Sequence, residues 1–417
     1  MSKIIIEGGK KLNGALEIDG AKNSILPILA ATLLIEGTSV IHNCPKLSDV
    51  DVALKILTHL GCLCKWEGQS ITVDCENVNC AEVPHSLMCE MRSSIVFLGA
   101  ILARTGKAVM SSPGGCELGP RPVDLHIKNL KILGAQIEED GGILNCRLPD
   151  GFKGKEIYLS FASVGATENI MIAATLAQGK TIIHNAAREP EIIDLADFLN
   201  SAGANIHGAG SNTIEITGAN KLHGTNHKII PDRIIASTYM AAVGICTGDV
   251  LLKNVIPSQL AGVIDVMKQS GAEIFTKGET LRVIAKNRPK RISSLHTQIY
   301  PGFPTDSGPP VLAMLSRARG TSVFVENIFQ NRYNYIDELK RLGANIKTEG
   351  RVAVIEGCGR LSGAPVRATD LRGGAALVVA GLGAEGITTV DKICYIKRGY
   401  ADIVRDFKRL GATIKEE

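Results

Sequence analysis

The stretch LKRLGANI, residues 339–346, decides the fold, because five close copies of it occur elsewhere in the 417-residue chain. Each copy reads as the end of an amphipathic helix that is stopped by a glycine and followed by a strand. Successive copies lie 68 to 73 residues apart, with their glycines at Gly61, Gly134, Gly203, Gly271, Gly343 and Gly411. This regular recurrence predicts six repeats of about seventy residues.

Each repeat carries a second marker, an almost entirely apolar stretch that also ends at a glycine. These glycines precede the first set by 23 to 28 residues and are Gly37, Gly106, Gly179, Gly248, Gly320 and Gly386. A helix that is apolar on all sides is buried. Each repeat is therefore predicted to run strand, buried helix, strand, amphipathic helix and a final pair of strands.

The two ends of the chain are incomplete in complementary ways. The last repeat stops at LGATIKEE, residues 410–417, without its final strand, and the chain starts with the strand-like KIIIEGG, residues 3–9. The N-terminal strand is therefore expected to complete the last repeat. Because six repeats are too many for one core, we predict an α/β protein with two domains. Three repeats form a domain of residues 22–229, three form a domain of residues 1–21 and 230–417, and the site lies in the cleft between them.

Composition argues against several classes of function. The net charge is +4 and runs of Lys or Arg are absent, so nothing favours binding to nucleic acid or to a membrane. No apolar run reaches the roughly 18 residues of a membrane span, and the first residues do not resemble a signal peptide. The eleven cysteines are odd in number and scattered, so most are expected to be reduced in a cytoplasmic protein. Cys62 and Cys64 are interpreted as strand residues, with metal binding as the weaker alternative.

Polar residues stand where the buried helices are expected to start. They are Lys22 with Asn23, Arg92, Asp232 with Arg233, Asp306, and Asp370 with Arg372. The simplest interpretation makes the aspartates N-caps. It does not explain the cations, which oppose the helix macrodipole unless an anion lies beside them. Cations also stand near the start of four amphipathic helices, at Arg121, Arg188, Arg332, and Lys397 with Arg398. The pattern predicts a site for phosphate or carboxylate groups.

One cysteine stands apart from the others. Cys116 lies in the glycine-rich stretch SSPGGCELGPRPVDLH, residues 111–126, five residues before Arg121. A cation and a helix N-terminus lower the pKa of a thiol from about 8.5 and favour the reactive thiolate. We therefore expect Cys116 to be a chemically active thiol on a loop that precedes the second helix of repeat two.

Seven segments occur in one order along the chain: GAKNSILPILAATLL, PGGCELGPRPVDLH, SVGATENIMIAA, REPEIIDLADFL, PDRI, YPGFPTD and KRGY. Together they closely resemble the UDP-N-acetylglucosamine 1-carboxyvinyltransferases, a family of enolpyruvyl transferases. The resemblance implies the inside-out α/β barrel pair of this family, built from six βαβαββ units. It also implies a reaction that moves the enolpyruvyl group of phosphoenolpyruvate to the 3-hydroxyl of UDP-N-acetylglucosamine and releases phosphate.

The same resemblance implies roles for individual residues. Cys116 would donate a proton to the enol carbon, Asp306 would accept the proton of the sugar hydroxyl, and Lys22, Arg121 and Arg398 would surround phosphoenolpyruvate. The residues that match substrate-binding positions are Lys22, Asn23, Arg92, Arg121, Pro122, Val123, Asp124, Leu125, Ser163, Val164, Asp306, Ile328 and Arg398. Those that match charged cleft positions are Glu189, Asp232, Arg332, Asp370 and Arg372. Of these five, Asp232 and Arg372 are favoured for a role in the site.

The resemblance implies no metal and no organic cofactor, although Cys116 can carry a covalent phosphoenolpyruvate or pyruvate adduct. It also implies a monomer or weak homo-oligomer that serves peptidoglycan precursor synthesis. The sequence departs from the family at Phe161, where some members have a lysine, and at residues 307–310, where two prolines favour a first helical turn. Two alternatives stay open: 3-phosphoshikimate 1-carboxyvinyltransferase, which lacks the cysteine loop, and a catalytically silent paralogue that binds a UDP-sugar.

Overall fold

The structure, a computed structural model, describes residues 2–111 and 123–417. Cys116, Arg121 and Pro122, which the sequence singles out, lie outside the described residues. The described chain divides into two compact units. The N-terminal unit contains residues 20–111 and 123–230, and the C-terminal unit contains residues 2–19 and 231–417.

Six four-stranded sheets recur through the described residues, one for each predicted repeat. In each sheet the first and second strands pair in parallel, and the third strand pairs antiparallel with both the second and the fourth. In repeat order the strands are Asn226–Lys228, Thr38–His42, Ser70–Asp74 and Leu63–Glu67; Glu82–Val83, Lys107–Ser111, Ile143–Arg147 and Gln136–Asp140; Glu156–Tyr158, Lys180–His184, Thr213–Thr217 and Asn205–His207; Leu12–Glu17, Gly248–Lys253, Thr280–Ala285 and Glu273–Lys277; Leu295–His296, Gly320–Val325, Val352–Gly357 and Asn345–Glu349; and Pro365–Arg367, Ile387–Asp391, Ile4–Glu7 and Thr413–Glu416. A further pair joins Ile35–Glu36 to Leu222–His223.

Two helices accompany each sheet, as predicted. The first of each pair, here the inner helices, are Lys22–Ala31, Phe97–Thr105, Val164–Ala174, Arg233–Cys246, Gly308–Leu315 and Leu371–Gly383. The second, the outer helices, are Ser48–His59, Asp124–Ile132, Pro190–Ser201, Ala261–Gln269, Ile336–Arg341 and Ile403–Arg409. Shorter α-helices span His85–Glu90 and Cys394–Lys397, and 3₁₀ helices span Thr32–Leu34, Arg92–Val96, Pro257–Leu260 and Thr305–Ser307.

Burial separates the two kinds of helix. All fourteen residues of the inner helix Arg233–Cys246 are buried, whereas the outer helix Ser48–His59 buries one face and exposes the other. Within each unit the three inner helices pack against one another. The prediction of buried helices from apolar stretches is therefore confirmed, and these helices form the core of each unit.

The twelve marker glycines all adopt a positive φ, between 72° and 140°. At Gly106 the left-handed residue caps the inner helix Phe97–Thr105, and its N–H donates to the carbonyl of Leu102 at 2.9 Å. A residue with a Cβ would be strained in this conformation. Several helix ends differ from the prediction: the inner helices Lys22–Ala31, Val164–Ala174 and Gly308–Leu315 end well before Gly37, Gly179 and Gly320. After Ala31, a 3₁₀ turn and a short strand lead to Gly37.

The N-terminal strand completes the last sheet, as predicted. Ile4–Glu7 lies antiparallel between Ile387–Asp391 and Thr413–Glu416, with Ile6 opposite both Thr388 and Ile414. The next strand, Leu12–Glu17, starts the fourth sheet by pairing in parallel with Gly248–Lys253. These two N-terminal strands therefore belong to sheets that are otherwise formed by the C-terminal part of the chain.

The cysteines need one correction. Cys62 lies just before the strand Leu63–Glu67, rather than in it, and forms a disulfide with Cys75, which directly follows the neighbouring strand Ser70–Asp74. This pairing was not foreseen from the sequence. The free cysteines among the described residues are Cys44, Cys64, Cys80, Cys89, Cys146, Cys246, Cys358 and Cys394.

Among the residues that the structure describes, no helix is both long enough and apolar enough to cross a membrane.

Candidate active site

Asp306 is held on both carboxylate oxygens by arginines of the C-terminal unit. It lies in the 3₁₀ helix Thr305–Ser307, directly before the inner helix Gly308–Leu315. Arg332 donates to its Oδ1 at 2.7 Å and Arg372 donates to its Oδ2 at 3.4 Å. Both guanidinium groups are buried, while the side chain of Asp306 is 28% exposed. An oriented carboxylate that solvent can still reach is suited to taking up a proton from a bound molecule.

The N-cap interpretation is wrong for Asp306 and correct for two other aspartates. The side chain of Asp232 accepts from the amides of Ile234 and Ile235 at 2.8 and 2.9 Å at the start of an inner helix. Asp370 caps the next-but-one inner helix in the same way. Asp306 stands at neither N-cap position, since Pro304 precedes the 3₁₀ helix and Ser307 precedes Gly308–Leu315. Of the three aspartates, Asp232 and Asp370 therefore act as helix caps, whereas Asp306 binds two arginines.

Arg372 is fixed by an aromatic hydroxyl as well as by Asp306. Its Nη1 donates to the Tyr400 hydroxyl at 3.5 Å, and its guanidinium lies 5.7 Å from the centre of that ring. The Tyr400 hydroxyl is also 2.7 Å from Oγ1 of Thr238. Burial alone would lower the pKa of Arg372. Asp306, Tyr400 and Asp232 together raise it by more than burial lowers it, so the pKa of Arg372 lies above its usual value. The guanidinium stays charged and keeps its hold on Asp306.

The two prolines after Asp306 lie in the first turn of the inner helix Gly308–Leu315, as predicted. A proline there loses no intrahelical hydrogen bond, because the first amides of a helix have no partner within it. The departure from the family at residues 307–310 is thus compatible with a regular helix immediately after Asp306.

In the N-terminal unit, Lys22 is the first residue of an inner helix and forms a buried ion pair with Asp49 at 2.6 Å. Asp49 lies in the first turn of the outer helix Ser48–His59. A lysine at a helix start was expected to have an anion beside it. Asp49 was not foreseen as that anion, because it looks like an ordinary helix-start residue.

Some of the residues that were predicted to bind substrate lie at two helix starts of the N-terminal unit that pack together. Ser163 caps the inner helix Val164–Ala174, with its Oγ accepting from the amide of Ala166 at 3.4 Å. Val123 precedes the outer helix Asp124–Ile132, which begins with Asp124 and Leu125 and packs on that inner helix. Several candidate substrate contacts are therefore near one another in this unit.

His126 joins these two helices from the inside. Its Nδ1 is 3.0 Å from Nδ2 of Asn169, which belongs to the inner helix, and its ring faces Gly165. Burial lowers the pKa of His126 from 6.5 to about 4, with Asp124 opposing the shift. The imidazole is therefore neutral at neutral pH and serves as a packed hydrogen-bonding group.

The other predicted residues are more dispersed. Asn23 is half-buried in the first turn of the inner helix that Lys22 begins, and the backbone of Arg92 starts the 3₁₀ helix Arg92–Val96. Glu189 is half-buried at the N-cap position of Pro190–Ser201, and Arg398 is half-buried directly after the helix Cys394–Lys397. Phe161 is 45% exposed.

Ile328 is half-buried in the segment after the strand Gly320–Val325. Its amide donates to Oε1 of Glu326 at 2.8 Å. Sequence reasoning missed Glu326, a buried carboxylate, because nothing in the sequence indicates which loops meet around it. The only available signal was an acidic residue directly after an apolar strand.

Comparison with known proteins identifies relatives over the whole chain. The family model described as EPSP synthase (3-phosphoshikimate 1-carboxyvinyltransferase) matches residues 6–407. UDP-N-acetylglucosamine 1-carboxyvinyltransferase 2 of Caldanaerobacter subterraneus subsp. tengcongensis is 52% identical over 414 residues, which cover 99% of each chain. UDP-N-acetylglucosamine 1-carboxyvinyltransferase 1 of Carboxydothermus hydrogenoformans is 47% identical over 415 residues, which cover 100% of this chain and 98% of that one.

Two solved structures share the fold. The enolpyruvyl transferase NikO from Streptomyces tendae superposes with a TM-score of 0.91 at 24% identity, covering 100% of this chain and 98% of that one. EPSP synthase from Acinetobacter baumannii superposes with a TM-score of 0.78 at 20% identity, with both chains fully covered. The predicted fold class is therefore confirmed.

Proposed function

The chain belongs to the UDP-N-acetylglucosamine 1-carboxyvinyltransferases, and from this membership we infer that it transfers the enolpyruvyl group of phosphoenolpyruvate to the 3-hydroxyl of UDP-N-acetylglucosamine. The observation that carries the inference is an identity of 52% that extends over 99% of both chains. The arrangement of Asp306 supports it, because the reaction needs a group that takes a proton from a sugar hydroxyl.

The reaction proceeds by addition and then elimination. In the addition, the sugar oxygen bonds to C2 of phosphoenolpyruvate, Asp306 takes the hydroxyl proton, and Cys116 gives a proton to C3. The product of this step is a tetrahedral intermediate. In the elimination, C3 loses a proton, the bond from C2 to the phosphate oxygen breaks, and phosphate leaves. The enolpyruvyl double bond is thereby restored on the sugar.

The cations bind and stabilise the charges of this reaction. Lys22, Arg121 and Arg398 hold the phosphate and carboxylate of phosphoenolpyruvate, and favourable contacts to the charged intermediate lower the barrier. Arg372 and Arg332 act through Asp306, since each donates to one of its oxygens. Ser163, Val164, Asp124, Leu125 and Ile328 contact the nucleotide sugar.

The wider setting follows from the same inference. The reaction commits UDP-N-acetylglucosamine to peptidoglycan precursor synthesis, in the cytoplasm where both substrates occur. The residues assigned to the reaction supply acid, base and cations, so the chemistry is carried by side chains without an organic cofactor or metal.

Phosphate release tests the proposal. The purified protein is incubated with phosphoenolpyruvate and either UDP-N-acetylglucosamine or shikimate 3-phosphate. We expect release with the nucleotide sugar and none above background with shikimate 3-phosphate. Release with shikimate 3-phosphate but not with UDP-N-acetylglucosamine would identify the protein as the alternative enzyme. Binding of UDP-N-acetylglucosamine without release under either condition would identify a catalytically silent protein.

A further inference from the structure

Glu326 is a buried carboxylate at which three segments of the C-terminal unit meet. It follows the strand Gly320–Val325 directly and is 1% exposed. Its Oε1 accepts from the hydroxyl of Thr297 at 2.9 Å and from the amides of Ile328 and Phe329 at 2.8 and 3.1 Å. Its Oε2 accepts from the hydroxyl of Thr305 at 2.8 Å. Three donors therefore converge on Oε1 and one binds Oε2, so both oxygens of this buried carboxylate are hydrogen-bonded.

The first connection to the site runs through Thr305. Thr305 is the residue before Asp306, and both belong to the same 3₁₀ helix. Its hydroxyl is bound to Oε2 of Glu326, so the first residue of this short helix is held to a rigid strand end. A single turn has few internal hydrogen bonds, and an external one restricts the direction in which the next side chain points.

The second connection runs through Phe329 and Arg332. The amide of Phe329 is bound to Glu326, and the ring of Phe329 lies 5.6 Å from the guanidinium carbon of Arg332. Arg332 in turn donates to Oδ1 of Asp306 at 2.7 Å and lies 3.4 Å from the carbonyl of Thr305. One carboxylate thus sets both the backbone position of Asp306 and the position of an arginine that binds it.

We propose that Glu326 is the positioning residue that aligns Asp306 for proton transfer and holds the Ile328 segment beside it. The inference rests on the proposed function, because it gives Asp306 the role of proton acceptor. Burying a carboxylate is costly unless its hydrogen bonds are satisfied, and here the bonds from Thr305, Ile328 and Phe329 also order part of the site.

Two matched threonine variants separate positioning from stability. Thr305→Val and Thr297→Val each remove one hydroxyl that donates to Glu326, but only Thr305 adjoins Asp306. Thr297 also accepts from the amide of Asn327 at 2.8 Å, so its loss destabilises the fold at least as much. We expect Thr305→Val to lower kcat roughly tenfold or more, since small misplacements of catalytic groups are costly. Thr297→Val should change kcat by less than about threefold, because the Oε2 bond remains.

Two further variants refine the test. Thr305→Ser keeps the hydroxyl and should restore most of the kcat that Thr305→Val loses. Glu326→Asp keeps the charge but removes one methylene, so the carboxylate can no longer reach all its donors. It should lower kcat at least as much as Thr305→Val, with KM for phosphoenolpyruvate nearly unchanged, because Lys22, Arg121 and Arg398 are unaffected.

Amide hydrogen exchange in the full chain supplies a readout that does not depend on turnover. Glu326→Asp should speed exchange at Ile328 and Phe329 relative to wild type, while amides of the inner helix Leu371–Gly383 stay protected. Equal losses of kcat in Thr305→Val and Thr297→Val, or an unchanged kcat in Glu326→Asp, would overturn the inference. Absence of transfer by the wild-type protein would instead refute the proposed function, and the exchange result would still report the role of Glu326.

Discussion

At the scale of single residues, the side chain of Asp306 is the most informative. It stands where two other repeats have helix-capping aspartates, yet it is bound by two buried arginines and remains partly exposed. The usual helix-cap explanation therefore applies to its counterparts and not to this residue. Its geometry is what a proton acceptor needs: fixed orientation, with access for a ligand.

Asp306→Asn should lower kcat by about a hundredfold or more, because it keeps the shape of the side chain and removes its basicity. Phosphate release at saturating substrates measures the change, and circular dichroism checks the fold. Asp402→Asn is the matched control, since Asp402 is an exposed aspartate that caps the outer helix Ile403–Arg409 in the same unit. It should retain kcat within about twofold. A comparable loss in both variants would remove Asp306 from its assigned role.

His126 predicts a pH dependence of stability. Its pKa is about 4 in the folded protein and 6.5 as the ordinary value. Between pH 6.5 and about pH 4, His126 therefore binds a proton in the unfolded chain but not in the folded protein. The free energy of unfolding falls as the pH is lowered through this range. The loss is on the order of 3 kcal/mol over that window.

Urea unfolding of wild type and His126→Gln between pH 4 and 8 measures this effect. The variant should lose less stability than wild type on acidification, and the exposed His207→Gln should behave as wild type. Glu168 lies on the inner helix Val164–Ala174, and burial, followed by Glu191 and Glu189, raises its pKa. Its effect on stability during acidification therefore has the opposite sign to that of His126. Because Glu168 is present in all three proteins, it cancels in the comparison. Parallel pH profiles of His126→Gln and wild type would show that His126 does not titrate as described.

At the scale of elements, the N-terminal strand tests the way in which the last sheet is completed. Ile6 is fully buried between its two neighbouring strands, whereas Ile5 points to the other face and is only half-buried. Ile6→Ala should lower the free energy of unfolding by about 2–5 kcal/mol, and Ile5→Ala should lower it clearly less. Denaturant unfolding provides the measurement. Equal effects of the two substitutions would be incompatible with the register of this strand.

Much of the element pattern could be predicted because local rules decide it. The twelve glycines lie at the transition from a helix to the following strand in a backbone conformation that glycine adopts without strain, and the apolar stretches mark buried helices. The end of the first inner helix was missed, since the short strand Ile35–Glu36 forms only by pairing with Leu222–His223, a partner distant in sequence. The disulfide of Cys62 was missed because the register of two neighbouring strands, Leu63–Glu67 and Ser70–Asp74, brings Cys62 close to Cys75.

At the scale of the whole molecule, the candidate site was predictable where a family motif or a break in the helix-start pattern pointed to it. Asp306, Arg332 and Arg372 were among the residues named, and the structure brings them together. Asp49 and Glu326 were not named. Their roles depend on which loops meet in the folded chain, and a single acidic residue at a helix start or strand end carries no sign of that.

The central claim is that this chain makes the enolpyruvyl ether of UDP-N-acetylglucosamine at its 3-hydroxyl. The most direct test is NMR spectroscopy of the nucleotide sugar after incubation of the purified protein with phosphoenolpyruvate. We predict new vinylidene protons, with a through-bond correlation from the enol carbon to the proton on C3 of the sugar. An unmodified sugar, or an enolpyruvyl group at any other hydroxyl, would contradict the account.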